Sequence, residues 1–574
     1  MATKKVILQG RGQVDLKDRD YIASGGEGSV YKLGSTAIKI YTDPNKMRHD
    51  DMVKKIGLLS QLHHSGIAAP QNVVLDLKNN PIGYYMPFST GEGLAKFFTN
   101  DYRKQVKFGV KQDKQLVEGM REIIQYAHSS GALVVDPNEY AWLITNSNSK
   151  GPIPTIVDVD SWQIGQFPAK VIIPSIRDYH AKSFSELTDW FSWGIVTFQL
   201  FTGIHPFKAN LPGFGRYDFV AKMKANASVF DPKAKLNLTV RDFSNIPTKL
   251  LDWYEGVFRK GDRSIPPSPF DGGLSTSPRT TALRVSVGKH SGALKFVKLF
   301  SAPTLDPIRK IFNCGVVLLE SGALVNLTNS LILGNAVSLN TEVIKTESGW
   351  VVLELQDGHL KAWFTSGHND RTDLAINLAS TGIFRQADRI FAISEQGLNE
   401  LKLFNFKQPV LAVNRSWDLM INSTQFYDGV AVQDAFGSKF VAIPHDEDKL
   451  SFMRVAQLDE FKVVNAKALG RYAIFVGVNK AGESKKVELV FDQNFNSYSV
   501  QISDVDTLDL VLAILPRGVC ASVEDDGELT VFVPSNGKVN KFKDSTISTA
   551  EPLANWDDKV LIHRANAVWH MSVV

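Results

Sequence analysis

Between residues 315 and 573 one pattern recurs seven times: a short apolar run, a turn, and a second apolar run. The turns fall at Gly322, Gly358, Gly397, Gly437, Gly482, Gly527 and Asn566, about 36 to 45 residues apart. Gly or Asn at each turn supplies the positive φ that a tight hairpin requires. A lone hairpin cannot bury both of its faces, so seven of them at near-constant spacing must stack on one another.

The spacing matches four-stranded blades set around an axis, and it predicts an all-β, seven-bladed β-propeller over 291–574. A β-sandwich or β-solenoid is the alternative. At 574 residues the chain exceeds one hydrophobic core. A Pro/Gly/Ser-rich stretch that begins near residue 264 (SIPPSPFDGGLSTSPRTT) supplies the break, with the linker proper over 271–290. Hydrophobic residues make up 44% and charged residues 22%, which excludes a disordered or solvating chain. The net charge of +4 gives no general attraction to nucleic acid or to an anionic membrane.

Cys314 and Cys520 both sit in apolar strand-like runs, the pattern of free buried thiols in a reducing compartment. The start, MATKKVILQGRGQVDL, has no apolar core for a secretory signal. The longest apolar stretch, LTDWFSWGIVTFQLFTGIHPF, is interrupted by Asp189 and reads as a buried helix. A cytoplasmic protein is expected.

Residues 1–270 mix strand and helix signals. Gly25, Gly26 and Gly28 lie between two strand-like runs, where missing side chains let backbone N–H groups approach a triphosphate. A Gly-rich hairpin turn explains such a segment equally well. Lys39 lies in AIKIY, and a lysine on a buried strand needs an anionic partner. An amphipathic helix carrying Leu116, Met120, Ile123, Ile124 and Ala127 leads to Asp136-Pro137-Asn138. A carboxylate there can accept or orient a hydroxyl proton, or Asp-Pro can simply initiate a turn. In TIVDVDSW, Asp158 and Asp160 are two apart, which on a strand places them on one side, a natural magnesium site.

The order of these motifs resembles the protein-kinase fold. It is most similar to bacterial and phage kinases with a Gly-Gly-Glu-Gly-x-Val-Tyr loop and an Asp-Val-Asp-Ser-Trp/Phe-Gln segment. The resemblance covers about residues 18 to 270 and ends in Gly261-Asp262-Arg263-Ser264-Ile265-Pro266-Pro267. It implies a bilobal α+β domain, with an N-lobe over about 1–88 and a C-lobe over about 89–270. By the resemblance, Gly25, Gly26 and Gly28 cover the phosphates of ATP, Val30 and Met86 flank the adenine, and Lys39 pairs with the α- and β-phosphates. Asp136 is then the catalytic carboxylate, with Asn138 beside it. Asp158 holds Mg2+, and Asp189 braces the catalytic loop.

The chain also departs from the family pattern. Ala141 stands where an asparagine binds the second metal, and Asp160 is offered as its replacement ligand. KMRHDDMVKKIGLLSQL contains no glutamate to pair with Lys39, leaving Asp50 or Asp51 as substitutes. The Ala-Pro-Glu stop after the metal-binding segment is missing. The expected function is a Ser/Thr-type protein kinase using Mg-ATP, with the propeller recruiting a substrate or partner protein. The alternatives are a pseudokinase scaffold and a small-molecule kinase. The family suggests a bacterial or phage origin, hence a host cytoplasm or a virion.

Overall fold

The computed structural model describes residues 3–271 and 294–573, interrupted by short gaps of at most four residues, together with Leu283–Arg284. The expected linker at 271–290 lies almost wholly outside the described residues, as do Gly26, Asp50 and the Gly527 turn.

The N-terminal part begins with a seven-stranded antiparallel sheet. Its strands are β1 (Thr3–Leu8), β2 (Gly12–Lys17), β3 (Tyr21–Ser24), β4 (Gly28–Leu33), β5 (Thr36–Tyr41), β6 (Asn72–Leu75) and β7 (Pro81–Pro87), in the order β2-β1-β6-β7-β5-β4-β3. β5 is buried at every position because β4 and β7 flank it and helices cover it. The helices are α1 (Lys46–His49), α2 (Met52–Leu59), α3 (Asn100–Gln105), α4 (Val110–Ser129), α5 (Glu186–Thr202), α6 (Phe219–Lys224) and α7 (Thr248–Glu255). α5 is apolar almost all round, as a helix enclosed by its own domain must be. Ser185 caps its N-terminus by accepting from the Thr188 N–H. One apolar cluster runs from Ala37, Tyr84 and Met86 of the sheet through Leu116, Met120 and Ile124 of α4 to Phe191, Trp193 and Phe198 of α5. Among the described residues no helix is long and apolar enough to cross a membrane.

The C-terminal part holds, among the described residues, seven antiparallel four-stranded sheets. Six are contiguous in sequence, spanning 308–335, 341–374, 382–418, 424–454, 461–504 and 511–543. The seventh combines Leu553–Trp556, Lys559–Arg564 and Ala567–Val573 with Leu294–Ser301, which arrives from the other end of the region. Each of the seven hairpins read from the sequence forms a pair of adjacent strands.

Burial follows position within a sheet: Tyr472–Asn479 is buried almost throughout, while the outer Tyr498–Asp504 is largely exposed. Apolar clusters join each sheet to the next. Val317 and Ile308 of the first sheet meet Leu561 and Val568 of the last, so the circuit of clusters closes on itself.

Candidate functional site

β5 places Lys39 between the sheet and the helices, where a bare ammonium would be costly. Its Nζ lies 2.8 and 3.0 Å from the two carboxylate oxygens of Asp160 and 3.5 Å from Oδ1 of Asp158. Tyr41 and Tyr84 each donate a hydroxyl hydrogen bond of 2.7 Å to the Asp160 carboxylate. Lys55 of α2 donates to the Asp160 backbone carbonyl at 2.7 Å. Burial opposes both charges. Even so, Asp160 and then Asp158 hold the Lys39 pKa above its ordinary value. Lys39 and the two tyrosines in turn pull the Asp160 carboxyl down to about 2.

Two expectations change here. Asp158 and Asp160 do not share one side of a strand, because Val159–Ser161 is a 3₁₀ turn and Asp158 is left-handed, at φ 58° and ψ 36°. The two carboxylates diverge: the Asp158 side chain is 63% exposed and that of Asp160 only 1%. Asp51 does not substitute for the missing glutamate, since it pairs with Lys54 at the surface. Lys39 finds its counter-charge two residues beyond Asp158 instead.

Asp136 follows the two-residue strand Ala132–Leu133. Asp189 of α5, fully buried, accepts hydrogen bonds from the Val134 N–H (2.7 Å) and the Val135 N–H (2.9 Å). His128 Nε2 lies 2.9 Å from the same carboxylate. Val135 adopts φ 65°, a left-handed conformation costly for a β-branched residue. Asp189 thus holds a strained turn immediately before Asp136. Asn138 Oδ1 accepts from the Tyr140 N–H at 2.8 Å and so shapes the same loop.

Burial pushes the Asp136 carboxyl up to about 6; hydrogen bonds from Asn138 and the Ile173 backbone oppose this, and the Asp158 charge adds to it. Asp136 Oδ1 and the Tyr140 hydroxyl are buried with no hydrogen-bond partner among the described residues. Buried polar atoms in that state are sites that a ligand satisfies.

Above these groups the β3–β4 turn is closed by the Gly25 N–H donating to the Gly28 carbonyl at 2.9 Å. A Cβ at Gly28 would come within 2.4 Å of the Ile40 carbonyl, so close strand approach alone demands glycine there. A Cβ at Gly25 would meet open space, which leaves its backbone accessible to a ligand. Val30 and Met86 contribute to the apolar cluster beneath the turn. Gly26 lies outside the described residues.

Sequence reasoning missed several supports. Arg263 makes two hydrogen bonds to Asp178, of 2.6 and 2.8 Å, tying the segment after Asp160 to the chain beyond α7. Tyr41, Tyr84 and Lys55 gave no warning because aromatic and lysine residues on buried elements usually signal only packing or a solvated face.

The C-terminal part reaches this cleft on both sides. Phe436 packs 4.5 Å from the Tyr21 ring of β3, and Tyr21 donates to Asp434 at 2.7 Å. On the opposite side, Lys208 donates to Ser484 at 2.9 Å, and a Cβ at Gly482 would lie 2.4 Å from Ser175 Oγ. Among the described residues no three His, Cys, Asp or Glu side chains gather into a metal cage of their own. A magnesium site needs only one or two carboxylates when substrate phosphates complete it, and Asp158 is the exposed carboxylate available. Compared with models of known families and with curated protein sequences, the chain finds no match.

Proposed function

We propose that residues 1–270 are a protein-kinase-like phosphotransferase that uses Mg-ATP, and that residues 291–574 form a seven-bladed β-propeller that recruits its substrate or partner. The observation that carries the reading is the convergence of Lys39, Asp158 and Asp136, from three separate elements, on one cleft. ATP supplies the transferable phosphoryl group. Lys39, fixed by Asp160, positions the α- and β-phosphates, and Val30 and Met86 flank the adenine. Asp158 holds the metal through its exposed carboxylate. Asp136, with its carboxyl raised to about 6, takes or orients the acceptor hydroxyl proton near neutral pH. Asn138 fixes the loop. Asp160 is reassigned from metal ligand to counter-ion of Lys39, because both of its oxygens are already taken. The closed circuit of seven sheets supports the propeller reading.

A pseudokinase scaffold is the second reading. Ala141 occupies the second-metal position, and the commitment of Asp160 to Lys39 leaves no carboxylate to compensate. The test incubates the full chain with Mg-ATP labelled at the γ-phosphate and a generic protein acceptor, beside Asp136→Ala and Asp158→Ala. Transfer to protein that both variants abolish is the expected result. Nucleotide binding without transfer favours the scaffold, and transfer confined to small molecules favours a small-molecule kinase.

A further inference from the structure

The lysines around the cleft are unequal. Lys39 is neutralised by Asp160, Lys55 is spent on a backbone carbonyl, and Lys439 pairs with Asp434. Lys462, from the C-terminal strand Phe461–Leu469, differs. It is solvent-accessible, and among the described residues it makes no hydrogen bond or ion pair. Its Nζ stands 5.5 Å from the centroid of the Tyr140 ring, four residues after Asp136.

The strand is well fixed there. Tyr140 and Ala95 pack into the same apolar cluster as Val464, Leu469, Tyr472 and Ile474. Contacts at Tyr21 and Ser175 hold the C-terminal part on either side. Burial lowers the Lys462 pKa, and the foremost charge opposing that is Asp158. Asp434, the other acid acting on it, already accepts from Tyr21, the Gly437 N–H and Lys439.

We infer that Lys462 is a phosphate-binding residue which the C-terminal part contributes to the N-terminal cleft, where it contacts the terminal phosphate of the nucleotide held at Asp158. The inference rests on the nucleotide reading above and deepens it. A triphosphate brings several negative charges into a cleft whose other lysines are already engaged, and an unpartnered ammonium beside the metal-binding carboxylate meets that need. The site is then complete only when both parts of the chain are in place.

The experiment measures Mg-ATP, Mg-ADP and adenosine binding by calorimetry to the full chain and to Lys462→Ala and Lys462→Arg. The expected result is an affinity for Mg-ATP about tenfold weaker in Lys462→Ala, from loss of one charge-assisted hydrogen bond. Mg-ADP should weaken less, adenosine should not change, and Lys462→Arg should restore Mg-ATP binding. Unchanged Mg-ATP affinity in Lys462→Ala overturns the assignment while the nucleotide reading stands. Tighter binding also overturns it, because Lys462 would then be competing with magnesium for Asp158. A wild-type chain that binds neither adenosine nor Mg-ATP removes the nucleotide reading and this assignment with it.

Discussion

In the C-terminal part, seven sheets meet through seven apolar clusters of similar build, whereas the N-terminal cleft is joined by a few buried charges. Apolar contacts are non-directional and tolerate partial loss, so the ring spreads its stability over many equivalent joints. A buried ion pair fails abruptly when one partner goes, because the survivor is left unpaired in a medium that solvates it poorly. The cleft therefore gains fixed geometry in exchange for fragility, and the ring does the reverse.

Breaking the cleft should have the largest effect on stability. Asp160→Ala leaves Lys39 without its main counter-charge and two tyrosine hydroxyls without their acceptor, and should destabilise the N-terminal part by about 3–5 kcal/mol in denaturant unfolding. A fall below about 1 kcal/mol would show that the pair is not structural.

In the ring, Leu561→Ala, at the joint between the last and first sheets, should cost about 2–4 kcal/mol through cavity formation. Cleft function should survive it, with nucleotide binding measured below the unfolding transition.

Next in size comes a contrast of sign inside the cleft. The raised carboxyl of Asp136 contributes stability that is present at low pH and is lost as pH rises from the ordinary 3.8 through about 6. Asp160, held down to about 2, contributes stability that is present above the ordinary 3.8 and is lost as pH falls through about 2. Asp136→Asn should accordingly stabilise the chain by about 2–3 kcal/mol at pH 8 and by almost nothing at pH 4, read from unfolding curves at both values. An equal gain at both pH values would contradict the raised carboxyl. The smallest effect belongs to Asp51→Ala: its exposed pair with Lys54 should be worth under about 0.5 kcal/mol.

The two parts were also legible to different degrees. A hairpin is local, so Gly358 or Gly437 at a tight turn between apolar runs was sufficient to locate its strands. The stacking order of sheets could be inferred only from the repeat. The role of Asp189 was readable, because an acid inside an otherwise apolar helix must satisfy donors nearby, and it does so at Val134 and Val135. The division of labour between Asp158 and Asp160 was not readable. Strand periodicity assigns them one side, and only the turn at Val159–Ser161 sends one into the cleft and the other under Lys39. Nor does any local pattern announce Lys462, which reaches Tyr140 from more than three hundred positions along the chain.

The seam at Leu294–Ser301 has a consequence for how the molecule assembles. Its partner strand, Ala567–Val573, lies about 270 residues away in sequence, so loop closure disfavours early pairing and this seam forms late. Until the latch shuts, the other sheets make an open crescent with apolar clusters bare at both ends, the kind of species that aggregates or engages chaperones.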